Sequence, residues 1–596
     1  MRTTRTTAVC AAAVAVGAGT LAAVASVNAA GQKGAETAKR GATVPFTTIE
    51  AEDAEARLGG GARVVTMTGL PAAGAPVTPE MEASGRGFVE LSKTGDSLTI
   101  LVKRAANGIT LRHCIPDAPT GGGRTATLSL YVNGQRQKVT LSSKHNWLYG
   151  KPSENGQSDD PAAGAPHVYW DEARFLKTGA ALKPGDALTL RKDAEDDAAF
   201  YRIDLVDLES VPAPLARPAE SLSVADFGAD GGDAADDTAA ILACIAAAKA
   251  QKKTVWLPAG TYYQSAKFVL DGVAVRGAGM WHTSLIGNVP EDGSGFAGKL
   301  GFSLRGDGPS VRDLYIASDV HTRRPGPGGK PFTAAFNDCV NWRVENVWIA
   351  RTHVGFWMSG VRNGVARGCR VRLTYADGIN INRGSTGNLV ENCHVRGAGD
   401  DGIALLSESD NTPTPSANNT VRSNTVVACW WGHNLDVAGG GGHVVENNLL
   451  ADNPLFGCLT VNLPGAYPMF PLTGATIRNN TVLRGGGNYA GQRRGAVWLF
   501  AGSADARGVV FEDNDILQPV FRAVHVTGGK AQEVTFARNR IDSPGQDAVA
   551  IDRSARGSVT LTNNVLTGLK PGALPVASDA AGGALAVTQT GNSWQQ

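Results

Sequence analysis

Nine short stretches repeat one pattern along the second half of this chain, and their spacing limits what it can fold into. Arg343-Val-Glu-Asn-Val-Trp348, Val390-Glu-Asn-Cys-His-Val395, Val445-Glu-Asn-Asn-Leu449 and Leu561-Thr-Asn-Asn-Val565 are clear examples. Aligned on the Asn, the column reads Asn346, Gly368, Asn392, Asn424, Asn447, Asn479, Asn514, Asn539 and Asn563, in steps of 22, 24, 32, 23, 32, 35, 25 and 24 residues. A base step near 23, with occasional insertions, marks a solenoid. Short β-type segments without helical periodicity point to a parallel β-helix, not to leucine-rich or helical repeats. The 74 glycines fit many turns between short strands. The recurring Asn is expected to form an internal amide ladder at a turn, with the insertions as loops on one face.

Three aspartates stand out against that period. Asp377 lies in Tyr375-Ala-Asp-Gly-Ile-Asn380, and Asp400 and Asp401 lie in Ala398-Gly-Asp-Asp-Gly-Ile-Ala-Leu405. Asp377, Asp401 and His433 each follow the aligned column by nine residues. Equal offsets place them in one column, with neighbours about 4.8 Å apart along the coil axis. Asp400 falls beside it. Consecutive strand residues face opposite sides, so a bend is expected between Gly399 and Gly402. One Asp-Gly pair would read as a turn. Carboxylates on adjacent turns, followed by a His in the same column, point to catalysis, because crowded like charges raise one pKa towards that of a general acid. Tyr375, Trp430 and Trp431 lie close to the column and could stack on sugar rings; one of the two tryptophans is expected to be exposed. Asn380 and Asn434 could bond hydroxyls, as could His433. Cys369 and Cys393 share another column and read as stacked interior thiols.

The rest of the chain sets the context. Residues 1–30 read as a secretory signal, with Arg2 and Arg5 before an Ala/Val-rich run and Val27-Asn-Ala29 as a cleavage site. Alternating segments across 44–210 read as a β-sandwich. Val211-Pro-Ala-Pro-Leu-Ala-Arg-Pro218 makes 211–220 a semi-rigid linker, and 221–596 forms the coil. A formal charge of +1 offers no case for nucleic acid or an anionic membrane as partner. Seven cysteines remain after the signal, an odd number at irregular spacing that does not look like a disulfide framework. The fold class is therefore all-β: a β-sandwich followed by a right-handed parallel β-helix.

These motifs resemble known families. Val224-Ala-Asp-Phe-Gly-Ala-Asp230 and Trp256-Leu-Pro-Ala-Gly-Thr-Tyr262 look like the opening of pectate-lyase-like coils. The Asp377 and Asp400-Asp401 arrangement resembles the catalytic triad of glycoside hydrolase family 87, the α-1,3-glucanases and mycodextranases. Polygalacturonases carry a similar set, but usually with Asn-Thr-Asp where this chain has Tyr375-Ala-Asp377 and Gly-His-Gly where it has Gly432-His-Asn434. Residues 44–210 resemble jelly-roll carbohydrate-binding modules of families 6 and 35, through Ile49-Glu-Ala-Glu-Asp53 and Ile203-Asp-Leu-Val-Asp-Leu-Glu209. That resemblance implies a structural Ca²⁺ held by Glu50, Glu52 and Asp204 or Asp207.

The resemblance implies a secreted, monomeric, inverting endo-α-1,3-glucanase acting on α-glucan polysaccharide, with no cofactor for catalysis. Asp400 would be the general acid, and Asp377 with Asp401 would activate water. The rivals are a mycodextranase acting on nigeran, a polygalacturonase-like or pectate-lyase-like enzyme, and a non-catalytic glycan-binding β-helix.

Overall fold

The computed structural model describes residues 40–53, 55–151, 157–287, 300–318, 329–410, 412–579 and 584–595. The signal segment 1–30 lies outside them. Two β-units follow each other. The first is an antiparallel sandwich. One sheet contains Phe46–Glu50, Arg63–Thr66, Gly87–Leu91, Gly108–Cys114, Asp171–Leu176 and Tyr201–Glu209, and the other contains Arg57–Gly59, Ser97–Leu101, Thr125–Val132, Gln135–Ser142 and Ala187–Arg191. Alternating residues such as Leu98, Ile100, Leu188 and Leu190 fill its core. The second unit is a parallel β-helix, begun by the helix Thr238–Gln251 and continued in long parallel sheets.

One turn of the coil shows how the repeat works. Val365–Arg367 and Arg370–Arg372 are split by Gly368, and Ile379–Asn382 completes the turn. The next turn repeats this with Leu389–Glu391, His394–Arg396 and Ile403–Leu406 in register. The bend at Gly368 recurs at Asn346, Asn392, Ser423, Asn447, Asn479, Asp513, Arg538 and Asn563, all with φ between 52° and 63°. Asn and Gly tolerate this left-handed conformation best.

The residue after each bend points inward, and there lies the amide ladder. Asn424, Asn448, Asn480, Asn514, Asn539 and Asn564 each donate from Nδ2 to the Oδ1 of the next at 2.9–3.0 Å, and the ladder ends at Asn592. The aligned column therefore mixed two adjacent ones. Asn346, Gly368, Asn392, Asn447, Asn479 and Asn563 are bend residues; Asn424, Asn514 and Asn539 belong to the ladder. Cys369 and Cys393 continue the ladder column upstream as buried free thiols, and Cys393 N donates to Asn424 Oδ1 at 2.8 Å.

The two units share a buried seam. Residues 211–220, expected as a linker, are docked: Val211 packs with Trp281, Tyr315 and Trp348, and Leu215 N bonds Ala278 O at 2.9 Å. Arginines on the outer face of the coil meet acids from the sandwich. Arg370 makes a two-pronged pair with Glu209 at 2.7 and 2.8 Å. Arg396 bonds Glu172 at 2.6 Å and Asp207 at 2.7 Å, and Arg351 bonds Asp171 at 3.0 Å. The sandwich is thus a fixed wall of the coil, not a tethered module.

The ladder supplies a direct test. Asn514→Ala removes a donor to Ile477 O and the acceptor of both Asn480 groups. Leaving such buried groups unsatisfied costs roughly 2–4 kcal/mol in all. Chemical denaturation should show that loss, whereas Asn479→Gly at the adjacent bend should change stability by less than about 0.5 kcal/mol.

Candidate active site

The loops that join the second strand of each turn to the third carry the acids. The third strands are aligned Phe356, Ile379, Ile403, Leu435 and Leu459. Asp377, Asp401 and His433 each lie two residues before one of these. Gly378 N bonds Asp401 O at 2.8 Å and Gly402 N bonds His433 O at 2.8 Å, so the backbone stacks all three in one column. The offset that identified His433 counted from a ladder residue, one place late. A one-residue-longer loop, 428–434 against 397–402, cancels that error. The chain bends at Gly399, Asp400 and Gly402, which turns Asp400 aside and leaves it half-buried, while Asp377 and Asp401 are buried. Only glycine fits at 432, since a Cβ there would lie 2.5 Å from Asp400 Oδ1.

His433 clamps Asp401. Its backbone N donates to Asp401 Oδ1 at 2.9 Å and its Nδ1 meets the same oxygen at 2.7 Å. Burial works to lower the imidazole pKa, but the neighbouring Asp401 carboxylate outweighs it and holds the group up at about 9, so it is protonated at neutral pH. Both of these bonds converge on Oδ1 of Asp401 and fix the orientation of its carboxylate.

Three further residues join the site that the sequence did not single out as part of it. Asp436, on the outer face of Leu435–Ala438, accepts from Thr460 Oγ1 at 2.6 Å. Burial, with help from Asp401, raises its pKa to about 7 against the opposing pull of His433. The ligand-type atoms of Asp401, His433 and Asp436 lie within 4.8 Å of one another, close enough to share protons or hold a cation. Lys330 has its ammonium 4.3 Å from the Trp357 ring; burial lowers its pKa to about 8, partly offset by Asp377. Tyr467 lies in the segment between Leu459–Leu463 and Leu472–Thr473. It is 42% exposed, and burial of its hydroxyl plus the field of Asp400, Asp401, Asp436 and Asp377 push that group well above the usual tyrosine range. A strand-face Asp three residues after His433 was the available signal for Asp436.

Several expected sugar contacts are placed elsewhere. Tyr375 is buried and its hydroxyl donates to His145 O of the sandwich at 2.7 Å. Trp430 packs with Leu148, Val168 and Tyr375, and its ring lies 6.0 Å from that of His167. Both therefore hold the seam. Neither tryptophan is exposed: Trp431 is half-buried against Phe456 and Tyr489. Asn434 is fully buried and spends Nδ2 on Val426 O and Ala451 O. Asn380 stands one rung from Ala404 and two from Asp436, fully buried, with Oδ1 bonded to Asn382.

In the sandwich, Glu50, Glu52 and Asp204 form a buried acid group. Burial, then mutual repulsion, raises Glu52 to about 10 and Glu50 to about 8; burial raises Asp204 to about 6. Asp207 is not part of it, being paired with Arg396 and Thr48.

The matched families agree with this geometry. Residues 43–211 match the profile of α-1,3-glucanase catalytic domain D1, and residues 237–578 match that of domain D2. The sandwich thus matches one of the two domains of a catalytic unit. No curated protein matches the chain. Among solved structures, the Agl-KA catalytic domain is 27% identical with a TM-score of 0.83, covering 93% of this chain and 99% of that one. The catalytic unit of a thermostable family 87 α-1,3-glucanase from Streptomyces thermodiastaticus is 27% identical with a TM-score of 0.78, covering 93% and 97%. A family 87 α-1,3-glucanase catalytic domain in complex with tetrasaccharides is 25% identical with a TM-score of 0.80, covering 93% and 100%. That last protein is known with three Asp→Ala changes, spaced 23 and 1 residues apart. Taken together, the two matched domains show that this chain belongs to the α-1,3-glucanases of glycoside hydrolase family 87.

Proposed function

We propose that this chain is an inverting endo-α-1,3-glucanase in which Asp400 is the general acid and Asp377 and Asp401 hold and deprotonate water. The observation that carries the residue roles is the spacing of the three aspartates. It matches that of the three substituted positions in the tetrasaccharide- and nigerose-bound relative, while the backbone stacks two of them and turns the third aside. Asp400, the most exposed of the three, donates its proton to the glycosidic oxygen. Water held by Asp377 and Asp401 attacks the anomeric carbon from the other face and loses its proton to that pair, which inverts the centre. The His433 imidazolium fixes the Asp401 carboxylate through Oδ1. Tyr467 is the aromatic placed to meet a sugar ring. Residues 1–30 support export of a monomeric enzyme to act on polysaccharide outside the cell.

A second reading concerns the sandwich. Among the described residues, Glu50 Oε2, both Glu52 carboxylate oxygens and Asp204 Oδ1 are buried without hydrogen-bond partners. Hard-cation chemistry fits this donor set, so these three residues would hold Ca²⁺, neutralising a buried acid group beside Arg484 and Asp452 of the coil. The ion would brace the seam, away from the chemistry.

Three measurements follow from these roles. Asp400→Asn should lower kcat on α-1,3-glucan by at least about a thousandfold while binding to the insoluble polymer persists; NMR of the wild-type products should show the β-anomer first. Retained hydrolysis, or an α-anomer first, refutes the assignment. Because folding raises the His433 pKa from 6.5 to about 9, its ion pair contributes fully below about pH 6.5 and is lost as pH rises through 9. The melting-temperature gap between wild type and His433→Asn should therefore shrink from pH 6.5 to 9.5; a constant gap contradicts the ion pair. Removal of Ca²⁺ with EGTA should lower Tm by about 5 °C, restored by Ca²⁺ and absent in Glu52→Gln.

A further inference from the structure

The catalytic column does not stop at His433. The third strands continue in register through Leu459, Val497, Val524 and Val549. Counting two residues back from each, as for the catalytic acids, the column runs on through Gly457, Gly495, Arg522 and Asp547. Arg522 lies three rungs past His433, about 14 Å along the axis. The neighbouring outward column, which carries Asp436 and Thr460, continues through Trp498, His525, Ala550 and, beside it, Ala577. Where these two columns pass Arg522 they border a cleft of about 390 Å³.

The chemistry of that cleft is specific. Ala550 and Ala577 form a floor of small side chains. Three arginines and three aspartates stand around it, so donors and acceptors are balanced and the cleft has no excess charge. The arginine heads are not spent on those acids: among the described residues no ion pair involves Arg494 or Arg522, the Nε of each is buried without a partner, and Arg522 Nη1 donates to Arg493 O at 3.1 Å. His525 is 8% exposed and its Nδ1 is likewise buried and unpartnered. Among the described residues, Asp547 accepts from Leu574 N of the following turn, and Asp552 accepts from Ser554 N and Oγ of its own loop. Arg494 lies over the Trp498 ring at 4.4 Å, on the side of the cleft towards the catalytic acids.

We propose that this cleft is a distal subsite for further glucosyl units of the chain being cut. It rests on the glucanase reading above and extends it. A simple anion would satisfy the arginines but meet three carboxylates. A neutral sugar ring presents hydroxyls that accept from Arg494 and Arg522 and donate to Asp547 and Asp552, while its flat face lies on the alanine floor. The subsite binds polymer and leaves the bond-breaking step untouched.

Arg522→Ala and Asp552→Ala test this with α-1,3-linked oligoglucosides from trimer to octamer. The expected result is a KM raised about tenfold on the octamer, unchanged kcat, and unchanged kcat/KM on the trimer. No change at any length, or an equal loss at every length, overturns the proposal. Calorimetric titration of wild type and both variants with the octamer, with α-1,4- and β-1,3-linked octamers and with inorganic phosphate separates the two readings. If the wild type cuts no α-1,3-linked octamer, the functional reading fails. The subsite still stands if the wild type binds one of the octamers about tenfold more tightly than both variants, and falls if it does not. Variant-sensitive binding of phosphate without any oligosaccharide also overturns it.

Discussion

Everything at the active site depends on backbone hydrogen bonds between successive turns. Gly355 N to Asp377 O, Gly378 N to Asp401 O and Gly402 N to His433 O run as one ladder, so the acids inherit a fixed spacing from the sheet. Side chains alone could not hold them so. Like charges at strand spacing repel, and a flexible loop would let them part. The interior supplies the stiffness: buried Ile379, Ile403 and Leu435 stack on one side, and the Asn ladder locks another corner of each turn from Asn424 to Asn592. Repulsion between the acids is then offset by groups set in the same frame, above all the His433 imidazolium.

The seam between sandwich and coil is the second determinant. Buried ion pairs such as Arg396 with Glu172 and Asp207 gain little net energy, because desolvation costs nearly as much as the attraction returns. They are better understood as fixing one docking arrangement, since any slip would strand a buried charge. Apolar contacts supply the adhesion: Phe88, Tyr169 and Trp170 of the sandwich share a cluster with Leu455 of the coil. The same docking covers Tyr375 and Trp430, so one flank of the acid column is walled by protein.

Much of this was legible beforehand, and the misreadings share a cause. The repeat, the stacking of Asp377 with Asp401 and the bend beside Asp400 follow from local spacing, whereas His433 joins the column because a longer loop offsets the shifted Asn424. The Asn column was read one residue out at Asn424, Asn514 and Asn539 because Asn suits both a left-handed bend and an internal amide stack. Side-by-side asparagines such as Asn447 and Asn448 hold the two roles at once. Asp436 went unnoticed because its partners, Thr460 and Asp401, lie on other turns. Tyr375, Trp430 and Asn434 were assigned to sugar because nothing near them in sequence reveals what covers them.

The sequence by itself determined the rung: which residues point inward, where the chain bends, and that three acids and a histidine fall at neighbouring heights. Those are properties of a short period and of residue preferences within it. Only the tertiary structure decided which outward faces stay open. That depends on a sandwich encoded some two hundred residues earlier, whose acids find the coil's arginines through shape and burial, and no local period records such a match.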